Sequence, residues 1–357
     1  MRILSVGTMD GLSNTCLHRN WALEKVADKV DVINTSAKKC TLWYRIAYHL
    51  FLYGLPVYLP ESDDENRRIR KMIDENIYDV VWIDKGNTIS PDTLRYIKIK
   101  QPQCMIVSYS PDNMALRHNQ SQQYLGCIPL YDYHITTKSY ILDDMKRLGA
   151  KRIKFVPKSY ALEFHHPYDV TPRDIERLGG DVGFIGAWEQ ERCDSILYLA
   201  KNGISVRVFG GGKWLKYNGL YSTLKIEPQG LFSEDYSKSF RTFKISLCFL
   251  RKMNFDQQTS RTMEIPACGG FMLAERTKEH QALFEEGKEA EFFSSNEELL
   301  EKCRYYLAHD DERKAIAEAG HLRCITSDYS NEGMVRRMLK EIFGNKAFDI
   351  GKENNTQ

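Results

Sequence analysis

The chain has 357 residues, 42% of them apolar and 27% charged, with 50 Lys plus Arg against 48 Asp plus Glu. That length exceeds one ordinary hydrophobic core and predicts two domains. A net charge of +2, with its cations scattered, excludes the strong positive field of a nucleic-acid binder.

The opening Met1-Arg-Ile-Leu-Ser-Val-Gly is too short an apolar run for a signal peptide and reads as a first strand. Further strands are predicted at Val30–Ile33, Val80–Ile83, Met105–Tyr109, His134–Thr136 and Arg152–Val156. Helices fall between them. One runs from a cap at Asn14 or Thr15 to about Val26. A second, Asp63–Asn76, is capped by Ser62 and turns Arg67, Arg68, Arg70 and Lys71 to solvent. A third starts at Pro91, and a fourth runs from Lys138 to Leu148 and stops at Gly149. Ile46–Leu59 is apolar but broken by His49, Gly54 and Pro56, so no membrane span is expected. It reads as an amphipathic packing helix and a turn. With Lys38, Lys39, Trp43, Tyr44 and Arg45 it also offers a basic, aromatic face suited to peripheral membrane contact.

The periodic signal weakens from Pro157 to Gly180, which reads as a connection. A second α/β series begins at Asp181-Val-Gly-Phe-Ile-Gly186. Helix Gln190–Lys201 follows, then strands at Val206–Phe209, Lys225–Ile226, Ile245–Phe249 and Phe271–Leu273. Helices Asn296–His309, Asp310–Ile325 and Asn331–Ile342 close the fold. Alternating strands and helices predict an α/β chain with parallel sheets. The expected domains are 1–170 and 171–343, followed by a polar tail, 344–357. Nine Cys stand singly with no Cys-x-x-Cys pair, which argues against a zinc site or disulfide framework and for a reducing compartment.

The chemistry concentrates at Asp256–Glu275, which reads as a short helix, a two-glycine stop and a buried strand. Arg261 and Glu264 share a helix face. The helix N-terminus, with Thr259 or Ser260 as cap, presents free N–H groups to an anion. Arg261 adds forked donors for phosphate oxygens, and Glu264 is an acceptor suited to two ribose hydroxyls. Gly269 and Gly270 allow a sharp turn. The plainer reading of Arg261 and Glu264 is an exposed i,i+3 salt bridge. Gly186 and Arg192, after the first strand of the second series, suit a phosphate in the same way, or form an ordinary strand-to-helix turn. Gly7-Thr-Met-Asp-Gly11 lacks the dinucleotide spacing, and Gly210-Gly-Gly-Lys213-Trp214 lacks that of a P-loop. Asp10, His18 and Asp112 are candidate general bases, each also readable as a cap, turn or solvent residue. His165-His166-Pro167 lacks a third ligand at useful spacing, so no metal site is expected.

Arg261-Thr-Met-Glu-Ile-Pro-Ala-Cys-Gly-Gly-Phe271 and Phe284-Glu-Glu-Gly-Lys-Glu-Ala-Glu-Phe292 resemble the C-terminal half of GT-B glycosyltransferases. More closely, they resemble the family related to the spore-maturation protein CgeB. Tyr109-Ser-Pro-Asp-Asn113 and Tyr131-Asp-Tyr-His-Ile-Thr-Thr-Lys138 are weaker matches. The resemblance implies a GT-B architecture, two Rossmann-like domains facing a cleft, with the last helix crossing back to the first domain. It implies a metal-independent transferase with no cofactor and a nucleoside-diphosphate sugar as co-substrate. The donor would lie on Gly186, Arg192, Asp256, Ser260, Arg261, Glu264, Gly269 and Gly270. Asp256 and Glu264 have the spacing of two acidic residues common in retaining GT-B enzymes, with Asp standing where Glu is commoner. A carbohydrate or lipid-linked acceptor would lie on the first domain. The setting implied is cell-surface polysaccharide or lipopolysaccharide synthesis in the cytoplasm, peripheral to the inner face of the membrane. A nucleotide-sugar epimerase and a non-catalytic nucleotide-sugar-binding protein remain alternatives.

Overall fold

The computed structural model describes residues 1–36, 41–61 and 63–344, so Lys38, Lys39, Ser62 and the tail beyond 344 lie outside the described residues. The chain divides into two compact units, Met1–Pro157 with Asn331–Gln357, and Lys158–Ser330. The chain thus leaves the first unit after Pro157 and rejoins it at Asn331.

The first unit contains β1 (Arg2–Gly7), α1 (Thr15–Val26), β2 (Lys29–Asn34), α2 (Leu42–Leu52), α3 (Glu65–Glu75), β3 (Val80–Asp84) and α4 (Pro91–Lys100). It continues with β4 (Met105–Ser110), α5 (Gln122–Cys127), β5 (Tyr133–Thr136), α6 (Leu142–Arg147) and β6 (Ile153–Phe155). The second unit contains α7 (Pro172–Leu178), β7 (Gly180–Ile185), α8 (Gln190–Lys201), β8 (Val206–Phe209), β9 (Leu224–Glu227), α9 (Ser233–Thr242) and β10 (Phe243–Cys248). Then come α10 (Ser260–Ala267), β11 (Met272–Glu275), α11 (Lys278–Leu283), β12 (Glu291–Phe293), α12 (Asn296–Ala308) and α13 (Asp310–Thr326). The last helix, α14 (Asn331–Phe343), belongs to the first unit.

Each unit is built on a six-stranded sheet, ordered β2-β1-β3-β4-β5-β6 and β12-β11-β10-β7-β8-β9. All pairings are parallel. Parallel strands with helices on both faces are apolar on both sides. In the first sheet Leu4, Val6, Val81, Ile83 and Ile106 enter one core cluster, whereas Ile3, Val80, Trp82, Val107 and Tyr109 enter the other. That is the two-residue alternation of a strand. Met334, Val335, Met338 and Leu339 of α14 complete the second cluster beside Ala22 and Leu23 of α1. Strand order reverses between β1 and β3 and between β7 and β10. Open α/β sheets bind ligands at the carboxyl ends of strands beside such a switch.

Differences from expectation are local. Helix α3 starts at Glu65, after Asp64 in a left-handed conformation, rather than at Asp63. Helix α2 starts at Leu42 with Thr41 as its cap, ahead of the Ile46 expected. The connection from Pro157 holds α7, started by a Thr171/Asp174 capping box. Helices α5, α9 and α11 and strand β12 were not expected.

Candidate functional site

The carboxyl edge of the second sheet is shaped around α10. Its first turn is fixed by a buried chain of hydrogen bonds. The Thr259 N–H donates to Thr262 Oγ1 at 3.0 Å, and that oxygen lies 2.9 Å from His280 Nε2. His280 Nδ1 lies 2.6 Å from the Glu275 carbonyl. A carbonyl only accepts, so Nδ1 carries the proton and Nε2 accepts from the Thr262 hydroxyl. Burial pushes the His280 pKa down to about 4, consistent with this neutral tautomer. Just upstream, buried Gln258 accepts from the Lys158 N–H at 2.8 Å and donates to Glu279 at 2.6 Å. Thr259 is the cap, and Ser260 is the first helical residue.

Among the described residues the backbone N–H groups of Ser260 and Arg261 have no protein acceptor. The Arg261 side chain crosses Gly186 at the end of β7. A β-carbon at Gly186 would stand 2.9 Å from Arg261 Nη2 and 2.8 Å from Phe184 Cζ, so any larger residue would push the guanidinium from its place. Arg261 and Arg192 lie 5.8 and 6.0 Å from the centre of the Phe184 ring. Arg192 is buried, donates to the carbonyls of Ala187 and Leu250 at 3.2 Å each, and lies 3.4 Å from Glu189. Glu189 also lies 3.4 Å from Arg251. Burial, aided by the Arg261 and Arg251 charges against Glu189, holds the Arg192 guanidinium below its ordinary pKa. Among the described residues Arg261 has no ion pair, and the enclosed Nε atoms of Arg192 and Arg261 have no acceptor. Unneutralised guanidinium beside free helix N–H groups is an anion site.

Glu264, one turn further on, is buried and does not pair with Arg261, so the simple i,i+3 salt bridge is absent. Its Oε2 accepts from the Tyr236 hydroxyl at 2.5 Å. Its Oε1 lies 3.8 Å from His165 Nε2. His165 Nδ1 accepts from the Ala161 N–H at 3.0 Å, which places the ring proton on Nε2, towards Glu264. Burial, with the Glu264 carboxylate, pushes the Tyr236 phenol well above its ordinary pKa, so it remains a donor. His166 stacks on Tyr168 at 4.1 Å. Among the described residues no three His, Cys, Asp or Glu are placed to hold a metal ion.

Gly269 and Gly270 lie at the other end of α10. Gly269, with φ +77, donates to the Pro266 carbonyl at 2.8 Å, and Gly270 donates to that of Ile265 at 3.0 Å. This is a Schellman stop. A β-carbon on Gly270 would stand 2.7 Å from the Phe240 carbonyl oxygen. Both glycines terminate α10 at the end opposite its first-turn N–H groups. Asp256 is half-buried four positions before α10, and its N–H donates to the Arg251 carbonyl at 3.2 Å. The Gly210–Gly212 turn seats the buried Trp214, whose Nε1 donates to the Gly186 carbonyl at 2.9 Å. A cavity of about 380 Å³ opens along the ends of β8 and β9, lined by Phe209, Glu227, Gly230, Phe232 and Asp235.

The first-unit candidates have separate partners. Asp10 is exposed and accepts from Asn34 at 2.7 Å. His18 Nε2 donates to the Leu12 carbonyl at 2.6 Å, tying the loop after β1, so that nitrogen is not free to act as a base. Asp112 pairs with Lys85, a non-glycine residue at φ +60 at the end of β3. Burial disfavours the Lys85 charge, but Asp112 and Asp84 together outweigh it and raise the Lys85 pKa. The sequence reading missed the buried pair beside it. Arg19 donates to both Asp84 oxygens at 2.8 and 2.7 Å and lies 4.2 Å from the centre of the Tyr109 ring.

Residues 192–340 match a family described as glycosyl transferase-like. No curated protein matches the chain in sequence. Among solved structures, Anabaena HepE in complex with UDP and glucose superposes with a TM-score of 0.59 at 13% identity, covering 96% of this chain and 99% of that one. Sucrose-phosphate synthase from Thermosynechococcus elongatus gives 0.61 at 10%, with the same coverages of 96% and 99%. A glycosyltransferase from Rickettsia africae gives 0.59 at 14%, again covering 96% and 99%. The fold is α/β of the GT-B class, with two Rossmann-like units.

Proposed function

We propose that this chain is a GT-B glycosyltransferase of the CgeB-like group, moving a sugar from a nucleoside-diphosphate donor to a hydroxyl acceptor. The observation that carries the reading is the unpaired Arg261 guanidinium laid across Gly186 beside the free N–H groups of α10. A departing diphosphate gains negative charge as the glycosidic bond breaks. Preorganised donors at that position stabilise the transition state more than the ground state. Arg261 and the α10 N-terminus meet the phosphates, and Arg192 adds positive potential from behind. The chain thus supplies this charge itself, which is why we read the reaction as metal-independent and cofactor-free. Glu264, aimed by Tyr236 and His165, accepts the ribose hydroxyls. HepE bound to UDP and glucose supports a uridine donor.

On the acceptor side we retain Asp112, paired with Lys85, as the residue that takes the hydroxyl proton if configuration inverts. A carbohydrate or lipid-linked acceptor in cell-surface polysaccharide or lipopolysaccharide synthesis, taken from the cytoplasmic side, completes the reading. Thermal shifts with UDP, GDP, ADP, CMP and dTDP test it, on the wild type and Glu264→Ala. Stabilisation by one nucleotide in the wild type alone supports the donor site and names the base. No shift with any of them overturns it. Asp112→Asn is then expected to lower turnover at least about a hundredfold with donor affinity unchanged.

A further inference from the structure

Helix α2 is turned inside out relative to an ordinary surface helix. Among its 11 residues only Ala47 and Phe51 are buried, in a small cluster with Leu59. The side opposite Ala47 and Phe51 carries Leu42, His49 and Tyr53, flanked by Ile46, Arg45 and Leu52. Leu42 is 75% exposed, Tyr53 73% and Leu52 51%. Trp43 and, past the helix, Tyr58 are exposed by 62% and 70%. Surface helices normally point charge outward along this arc. A contiguous exposed apolar patch marks an interaction surface. Its fixed charge is cationic: no Asp or Glu lies between Asp31 and Glu61, while Arg45 stands exposed on the helix.

We infer that α2 and the turn to Tyr58 dock the first unit onto an anionic bilayer. No helix among the described residues is long and apolar enough to cross a membrane, and α2 spans only about 16 Å. It would lie in the interfacial plane. Leu42, Ile46 and Leu52 would enter the acyl boundary, Trp43, Tyr53 and Tyr58 would sit at headgroup level, and Arg45 would meet lipid phosphate. A second copy of the chain fits less well, because a two-fold contact would bring two Arg45 guanidiniums into one interface with no Asp or Glu of this segment to meet them. The inference rests on the first unit alone and stands apart from the donor-site reading.

The test is co-sedimentation of the whole chain with vesicles of phosphatidylcholine, with and without phosphatidylglycerol. Binding is expected to the mixed vesicles and to weaken in high salt. The Leu42→Ser, Ile46→Ser, Tyr53→Ser triple variant is expected to lose at least about tenfold in partitioning. These side chains are exposed, so its melting temperature should match the wild type. Arg45→Glu should weaken binding to mixed vesicles only. Failure of the wild type to bind either vesicle overturns the proposal, as does equal binding by the triple variant. Self-association of the wild type that the triple variant abolishes, without vesicle binding, assigns the face to a second copy instead. Nucleotide thermal shifts on the same preparations keep failure here distinct from failure of the donor site.

Discussion

Removing the Arg261 side chain is expected to weaken nucleoside-diphosphate binding without weakening the fold. A hydrogen bond to a charged group contributes about 1.5–3 kcal/mol. Deleting one such bond to a phosphate corresponds to about 10- to 150-fold in Kd, and a forked guanidinium can form two. In the protein alone the balance differs. Arg261 has no ion pair to break, and its enclosed Nε lacks an acceptor. Relief of that orphaned donor returns roughly 1 kcal/mol. Withdrawing the guanidinium from Phe184, 5.8 Å from the ring centre, removes about 0.5–1 kcal/mol. Net stability should therefore stay within about 1 kcal/mol of the wild type, a shift of roughly 2–4 °C in Tm. Titration calorimetry with UDP and nucleotide-free thermal melting read the two quantities separately. A variant that melts far below the wild type yet binds UDP equally well would refute the reasoning and make Arg261 a structural residue.

Glu264→Gln should lower UDP affinity about tenfold while leaving pyrophosphate binding unchanged, because the carboxylate is assigned to ribose; competition between the two ligands reads this. Gly269→Ala should cost about 1 kcal/mol in denaturant stability, since φ is +77 there, with no loss of nucleotide affinity. A loss of affinity would assign that glycine to the donor site. Buried His280 and His134 both have pKa values lowered from 6.5 to about 4 by burial. The unfolded chain therefore binds more protons between those values. Their contribution is complete above about pH 6.5 and is lost as pH falls towards 4. Each should account for about 2 kcal/mol of lost stability by pH 5. Denaturant titrations at pH 7.5 and 5 on the wild type and His280→Gln measure this, and an unchanged pH slope in the variant would contradict the neutral buried ring.

What was legible in the sequence was what is local. Runs such as Val80–Ile83 and Val206–Phe209 carry their burial in their own composition, and the strands formed where the apolar pattern placed them. Arg261 and Gly269 were readable because a helix start and a helix stop leave short signatures. The supports of the site were not readable. Tyr236 meets Glu264 across 28 residues, and Arg19 meets Asp84 across 65. His165 reads in the sequence only as a metal ligand that lacks a third one, and nothing local marks it as a donor aimed at Glu264. Helix α9, Ser-Glu-Asp-Tyr-Ser-Lys-Ser-Phe-Arg-Thr, is so polar that it reads as loop. Strand β12 is only 3 residues long, too short to show a period.

The assignment of α14 to the first unit sets an order of events at the ribosome. The second unit, Lys158–Ser330, is one unbroken segment whose core is complete before Asn331 is translated. It can fold as it emerges. The first unit begins earlier but must wait with Ile3, Trp82 and Tyr109 uncovered until Met334, Val335, Met338 and Leu339 arrive to cap them. A premature stop before residue 331 would therefore release a chain whose later-made half is sound and whose first-made half is not. The half put at risk is the one that carries Asp112 and α2.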